Sequence, residues 1–181
     1  MKNSILITLT LASALVLTLG AFTSSTKETP EFIVLTMPLM ETAKSHTLEV
    51  LDAMPAENFN YQPTEVNKTF GSQMVHIGYS LHYFSEAMMK GNRIKYEEPD
   101  ASTMSKDEIR GLVAKGFDDM MAAMGTLSSE DLAAELPFGK NTTITRGQAV
   151  IFAHDHVTNH RAKANLYLRM NGIEPPNYKF L

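Results

Sequence analysis

The chain has 181 residues, 44% of them hydrophobic and 20% charged, proportions that fit one soluble globular domain able to bury a sizeable core. It contains no Cys, which excludes disulfides, thiolate metal sites and a cysteine nucleophile, so any metal must rest on His, Asp or Glu. A formal charge of −4, with no local Lys/Arg cluster, excludes the basic face that nucleic-acid binding needs.

Lys2 is followed by an uncharged apolar run from Ile5 to Phe22, and the next charge is Lys27. A short basic start, an apolar stretch and small residues after it have the layout of a secretory signal. Residues 1–25 are therefore expected to be a signal peptide and the start of a linker, with cleavage after Ala21 or Ser25 and an exported product, periplasmic or secreted. The other reading is an uncleaved N-terminal anchor, since the run is just long enough to span a bilayer. Residues 24–31 read as polar linker.

Four segments then carry helical periodicity. The first covers residues 32–54, where Pro38 either opens the helix at its first turn or kinks it, and Pro55 ends it. The second covers residues 70–90, with Thr69 or Ser72 as cap and Gly91 as stop. The third covers residues 106–127 behind the capping box of Ser105 and Glu108. A partial helix is expected at residues 129–135, followed by extended or loop chain at 137–144 with a turn at Gly139. The fourth long helix covers residues 146–171, behind a second box of Thr145 and Gln148, and Gly172 with Pro175 and Pro176 ends it. Helices of about 20 residues joined by loops of about 10 to 18 make an all-α four-helix bundle with a crossover connection the simplest solution. The twelve Met residues sit largely at helical spacing among other apolar side chains and read as core filler.

The candidate chemistry lies in six histidines. His156 and His160 are spaced i, i+4, which places their Cβ atoms about 5–6 Å apart on one helix face, where both imidazoles can reach one ion. Chance alone gives about 0.2 such pairs in a chain of this composition, so the spacing does not decide between a metal pair and hydrogen-bonded histidines. Small and apolar neighbours on the same face, Ala149, Ala153 and Tyr167, point the pair inward. His76, flanked by apolar residues, reads by itself as a satisfied core histidine, with Ser80 and Tyr83 on its face. His82 lies about 240° around the helix from His76, and His154 about 200° from His156, so neither shares the face; His154 and Asp155 read as exposed. His46 reads as polar surface.

Three strings resemble a known family. MPAENFNYQPTEVNKTFGSQMVHIGY, HVTNHRAKANLYLRMNG and GIEPPNY are similar to segments of the DinB family, the DinB/YfiT-like metalloenzymes, and the likeness spans about residues 32–178. The resemblance implies a four-helix bundle of up-down-down-up topology. It also implies one divalent metal, zinc or nickel, on three histidines, which map to His76, His156 and His160. Where many members read His-Arg-Gly-Gln, this chain has His160-Arg161-Ala162-Lys163, and a further His of the family is Asn159 here.

Three neutral nitrogens plus an open position describe a catalytic rather than a structural site. The expected function is a metal-dependent hydrolase or transferase acting on an unidentified small molecule. A metal-binding or small-ligand-binding bundle without turnover is the alternative, and a purely structural bundle the third reading. Some relatives use a low-molecular-weight thiol, a cytosolic chemistry that fits an exported chain poorly. Tyr79, Ser80 and Tyr83 are candidates to line the pocket. A membrane partner is expected only if the leader stays uncleaved, and a homodimer stays open.

Overall fold

A computed structural model describes residues 28–180; the expected leader and its cleavage sites lie outside the described residues. The elements in chain order are α1 (Glu31–Ala53), α2 (Phe70–Phe84), α3 (Lys106–Met124), α4 (Ser129–Ala133), β1 (Glu135–Phe138), β2 (Thr142–Thr145) and α5 (Arg146–Met170). All four long helices stand where periodicity places them, and the short α4 makes the last of them α5. The second ends differently: after Phe84 it widens into a π-helical turn over Ser85–Met89. The hairpin β1–β2 is antiparallel, pairing Glu135 with Thr145 and Phe138 with Thr142, and Gly139 turns it at φ +66°.

The caps act as their sequence suggests. Ser105 accepts a hydrogen bond from the Glu108 amide, and the Glu108 carboxylate accepts one from the Ser105 amide. Thr145 and Gln148 do the same for α5, and Thr69 accepts from the Ser72 amide at 3.1 Å. Each such cap contributes about 1 kcal/mol. Pro38 does not open α1, which starts seven residues earlier at Glu31. It lies on the exposed side, where the Val34 carbonyl it leaves unbonded can meet water.

Cross-helix partners fix the directions. Lys44 pairs with Asp118 and Asp52 with Arg110, so α1 and α3 are antiparallel. Gly71 faces Ile109, Gly78 faces Val113, and His82 bonds Asp119, so α2 and α3 run parallel. Gln73 meets Tyr167 and Phe84 meets Phe152, which makes α2 and α5 antiparallel. Leu39 lies beside Ile151, and Ala43 with Thr47 beside Arg161, which makes α1 and α5 parallel. The topology is therefore up-down-down-up, with α1 and α2 on one diagonal and α3 and α5 on the other.

Two consequences matter for the site. Parallel neighbours cannot be joined by a tight turn, so residues 90–105 travel back along the bundle. Secondly, α2 and α3 touch backbone to backbone at Gly78 and Gly116. The core around that contact is apolar, led by Phe70, Met74, Ile77, Leu81, Phe117 and Met120, all fully buried. Among the described residues no helix is long and apolar enough to cross a membrane.

Candidate metal centre

The antiparallel packing of α2 on α5 sets His76 against the i, i+4 pair of His156 and His160. The ring centroids lie 4.9 Å (His76–His156), 4.4 Å (His76–His160) and 4.6 Å (His156–His160) apart. One nitrogen from each ring lies within 4.8 Å of the others. Three nitrogens sharing a tetrahedral ion at about 2.1 Å sit about 3.4 Å apart, so small ring rotations close the cluster on an ion. The structure thus unites the three histidines that the sequence reading singled out.

Each ring is presented by a partner. His160 Nδ1 donates to Gln73 Oε1 at 2.7 Å, and Gln73 Nε2 donates onward to the Tyr167 hydroxyl at 3.4 Å. His76 Nδ1 donates to Glu98 Oε2 at 2.5 Å. The same carboxylate accepts from the Tyr96 hydroxyl at 2.5 Å and from Lys68 Nζ at 2.9 Å. With Nδ1 occupied as a donor, each of these rings keeps the lone pair of Nε2 available to an ion. His156 Nε2 is buried and has no hydrogen-bond partner. An orphaned buried imidazole nitrogen beside two oriented ones is a donor set that fits a divalent ion. Phe84 and Phe152, 5.4 and 5.8 Å from the His156 ring, keep that side dry.

The electrostatics favour neutral imidazoles at His156 and His160. Burial, reinforced by the neighbouring imidazoles, pushes His160 down to about 3 and His156 down to about 4. Burial also opposes the charge on Glu98, but hydrogen bonds from His76, Tyr96 and Lys68 outweigh it and hold the carboxyl down to about 2. Burial and the bond to Glu98 raise the Tyr96 phenol well above its ordinary value. An anionic carboxylate on the far nitrogen of a ligating imidazole fixes its tautomer and orientation, and losing it weakens metal binding. Glu98→Gln should therefore weaken zinc or nickel binding about ten- to a hundredfold, measured by competition with a chromophoric chelator; an unchanged affinity would remove Glu98 from the site.

The remaining candidates fall elsewhere. His82 bonds Asp119 at 2.8 Å, away from the cluster, as its helical angle requires. Asp155, Asn159 and Lys163 are exposed, so the Lys163 ammonium reaches solvent. Two readings are corrected. His46 is buried, because the C-terminal tail folds over it with Tyr178 edge-on at 6.1 Å. His154 is half-buried rather than exposed. Tyr79 and Tyr83 pack edge-on against Tyr96 at 5.0 and 5.2 Å, and Ser80 bonds its hydroxyl at 3.2 Å. These three hold the returning segment, and with it Glu98, over His76. Glu98, Tyr96 and Gln73 escaped the sequence reading. Only Gln73, one helical turn before His76, stood at a spacing that could have raised it.

The sequence profile of the DinB superfamily matches residues 39–164. Two solved structures are similar in fold. One, a DinB-like protein from Bacillus subtilis, is 19% identical with a TM-score of 0.65, over 81% of this chain and 99% of that one. The other, a DinB-like protein from Bacillus cereus, is 16% identical with a TM-score of 0.66, over 84% of this chain and 99% of that one. No curated protein matches in sequence. With the profile spanning well over half its length and the bundle reproducing the fold, the chain belongs to the DinB superfamily.

Proposed function

We propose that this is an exported metal-dependent hydrolase or transferase of a small molecule, with one zinc or nickel ion on His76, His156 and His160. The observation that carries the reading is the convergence of three imidazole nitrogens, one of them buried without a partner. When bound, such an ion supplies a Lewis acid with an open coordination position. The chain's own residues do the rest. Glu98 and Gln73 aim the rings, Phe84 and Phe152 exclude water, and Tyr96 stays protonated beside the cluster as a hydrogen-bond donor to Glu98. Export rests on the N-terminal leader, and mass spectrometry of the mature protein should find its first residue near position 22 or 26.

One observation favours the alternative of metal or ligand binding without turnover. The nearest carboxylate, Glu98, is already committed to His76, Tyr96 and Lys68, which leaves no free general base beside the cluster among the described residues. A screen of ester, phosphate and thiol-conjugation substrates separates the two. Turnover that chelation abolishes and added zinc or nickel restores is the expected result. Stoichiometric metal with no turnover on any class would favour the binding protein.

A further inference from the structure

On the side of α5 away from the three histidines, a second cluster has no role in the metal centre. Arg161 follows His160 in sequence but points toward α1, and it is only 7% exposed. Its Nη1 reaches the Ala43 carbonyl at 3.4 Å and the Thr47 hydroxyl at 3.5 Å, both long for hydrogen bonds. A guanidinium carries five N–H donors, and among the described residues no carboxylate lies within ion-pair distance of this one. His46, 2% exposed, stands beside it; its ring makes no side-chain hydrogen bond, and the Pro176 backbone of the tail lies against it.

Both side chains line one cleft of about 130 Å³ between α1, α5 and the C-terminal tail. A cavity of about 150 Å³ accepts a six-carbon ring, so there is room for a small organic molecule. Leu39, Ala43 and Phe180 give the cleft apolar lining, and Arg161 and His46 share its polar lining with Thr42, His154, Thr158 and Tyr178. The other cation at its rim, Lys179, is already paired with Glu49. A buried cation with no ion-pair partner is costly, and an anion is what relieves it.

We propose that this cleft is a binding site for a small aliphatic carboxylate, its head on Arg161 and His46 and its chain along Leu39 and Ala43. The fork of the guanidinium matches a carboxylate bidentately, and the short apolar wall selects a tail of a few carbons over an inorganic anion. The site does not depend on the metal reading.

Butyrate titration followed by amide NMR tests it, on chelator-treated protein at constant ionic strength, with chloride and butanol as controls. Butyrate should saturate with shifts centred on residues 39–47 and 158–161, while chloride and butanol should not. Arg161→Met, similar in length and apolar, should weaken butyrate at least tenfold with the fold retained. Should Arg161→Met fail to fold, His46→Leu carries the test, with an expected loss of severalfold. His76→Ala should bind butyrate as the wild type does, which separates this cleft from the metal centre. Absence of saturable butyrate binding to folded wild-type protein, or full binding to folded Arg161→Met, overturns the proposal. So does equal binding to His46→Leu in the event that Arg161→Met is unfolded.

Discussion

Purified wild-type protein is expected to hold close to one zinc or nickel ion per chain, and His76→Ala, His156→Ala or His160→Ala each to hold less than about a tenth of that. A four-ligand structural zinc site is worth about 10–16 kcal/mol, so one donor is worth about 2.5–4 kcal/mol, on the order of a hundredfold in affinity. Elemental analysis after dialysis against weak chelator reads the content. Thermal melts read the same loss independently. An ion at a hundred times its Kd stabilises by about 2.7 kcal/mol, which is about 5–10 °C for a domain of this size, and the variants should forfeit that shift. Full metal content in all three variants would dismiss the site.

The acid behaviour of the same histidines is fixed in sign. An imidazole with an ordinary pKa near 6.5 in the unfolded chain, and about 3 to 4 in the folded one, stays neutral in the native state at pH 5. Only the unfolded chain takes up its proton as the pH drops below 6.5. The two residues therefore contribute stability above pH 6.5 that is lost progressively as the pH falls toward 3 to 4. The metal-free protein should melt at steadily lower temperature across that window. The ring-proton NMR signals of His156 and His160 should stay unshifted down to about pH 5, whereas a solvated histidine would titrate near 6.5.

The second large effect lies far from the histidines. Gly116→Ala should destabilise the fold by about 3 kcal/mol or more, while Gly111→Ala, five residues away in the same helix, should stabilise it by about 0.5–1 kcal/mol. Alanine is the better helix former at both positions. At Gly111 a Cβ would meet nothing within 4 Å, so propensity decides. At Gly116 it would fall 2.1 Å from the Gly78 carbonyl oxygen, and at Gly78 it would fall 2.8 Å from the Leu112 carbonyl. Backbone cannot swing aside as a side-chain tip can, so α2 and α3 would have to part, opening voids around Phe117 and Met120. Urea unfolding of the two variants measures the contrast. Equal effects would mean that the close approach is not tight.

The elements that sequence reads correctly are those written in local pattern. The apolar stripes, the boxes at Ser105 and Thr145, and the stops at Gly91 and Gly172 place the helices to within a few residues. His156 and His160 declared themselves by spacing, and His76 only by likeness to a family. What escaped was decided by contacts across the chain. His46 sits in a polar string and is buried because residues 175–180 return to cover it. Glu98 is one of two adjacent acids on an irregular segment, and nothing local separates it from Glu97, which pairs with Lys95 in solvent. Arg161 looks like any helical arginine until α1 is packed beside it. The π-helical turn over Ser85–Met89 has no signal in propensity at all.

The parallel run of α2 and α3 bears on how such a centre diversifies. Because neighbouring helices point the same way, the chain owes the bundle a full-length return path, and here that path delivers Glu98 and Tyr96 to His76. The three histidines sit on rigid rods, while the carboxylate that bonds one of them rides on a connector free to lengthen, shorten or change composition. Insertions within residues 90–105 can therefore change what bonds His76, and the shape of the space beside the three histidines, while the helix-to-helix contacts stay in place. A family built on this plan can keep its donors constant and vary its chemistry through one replaceable segment.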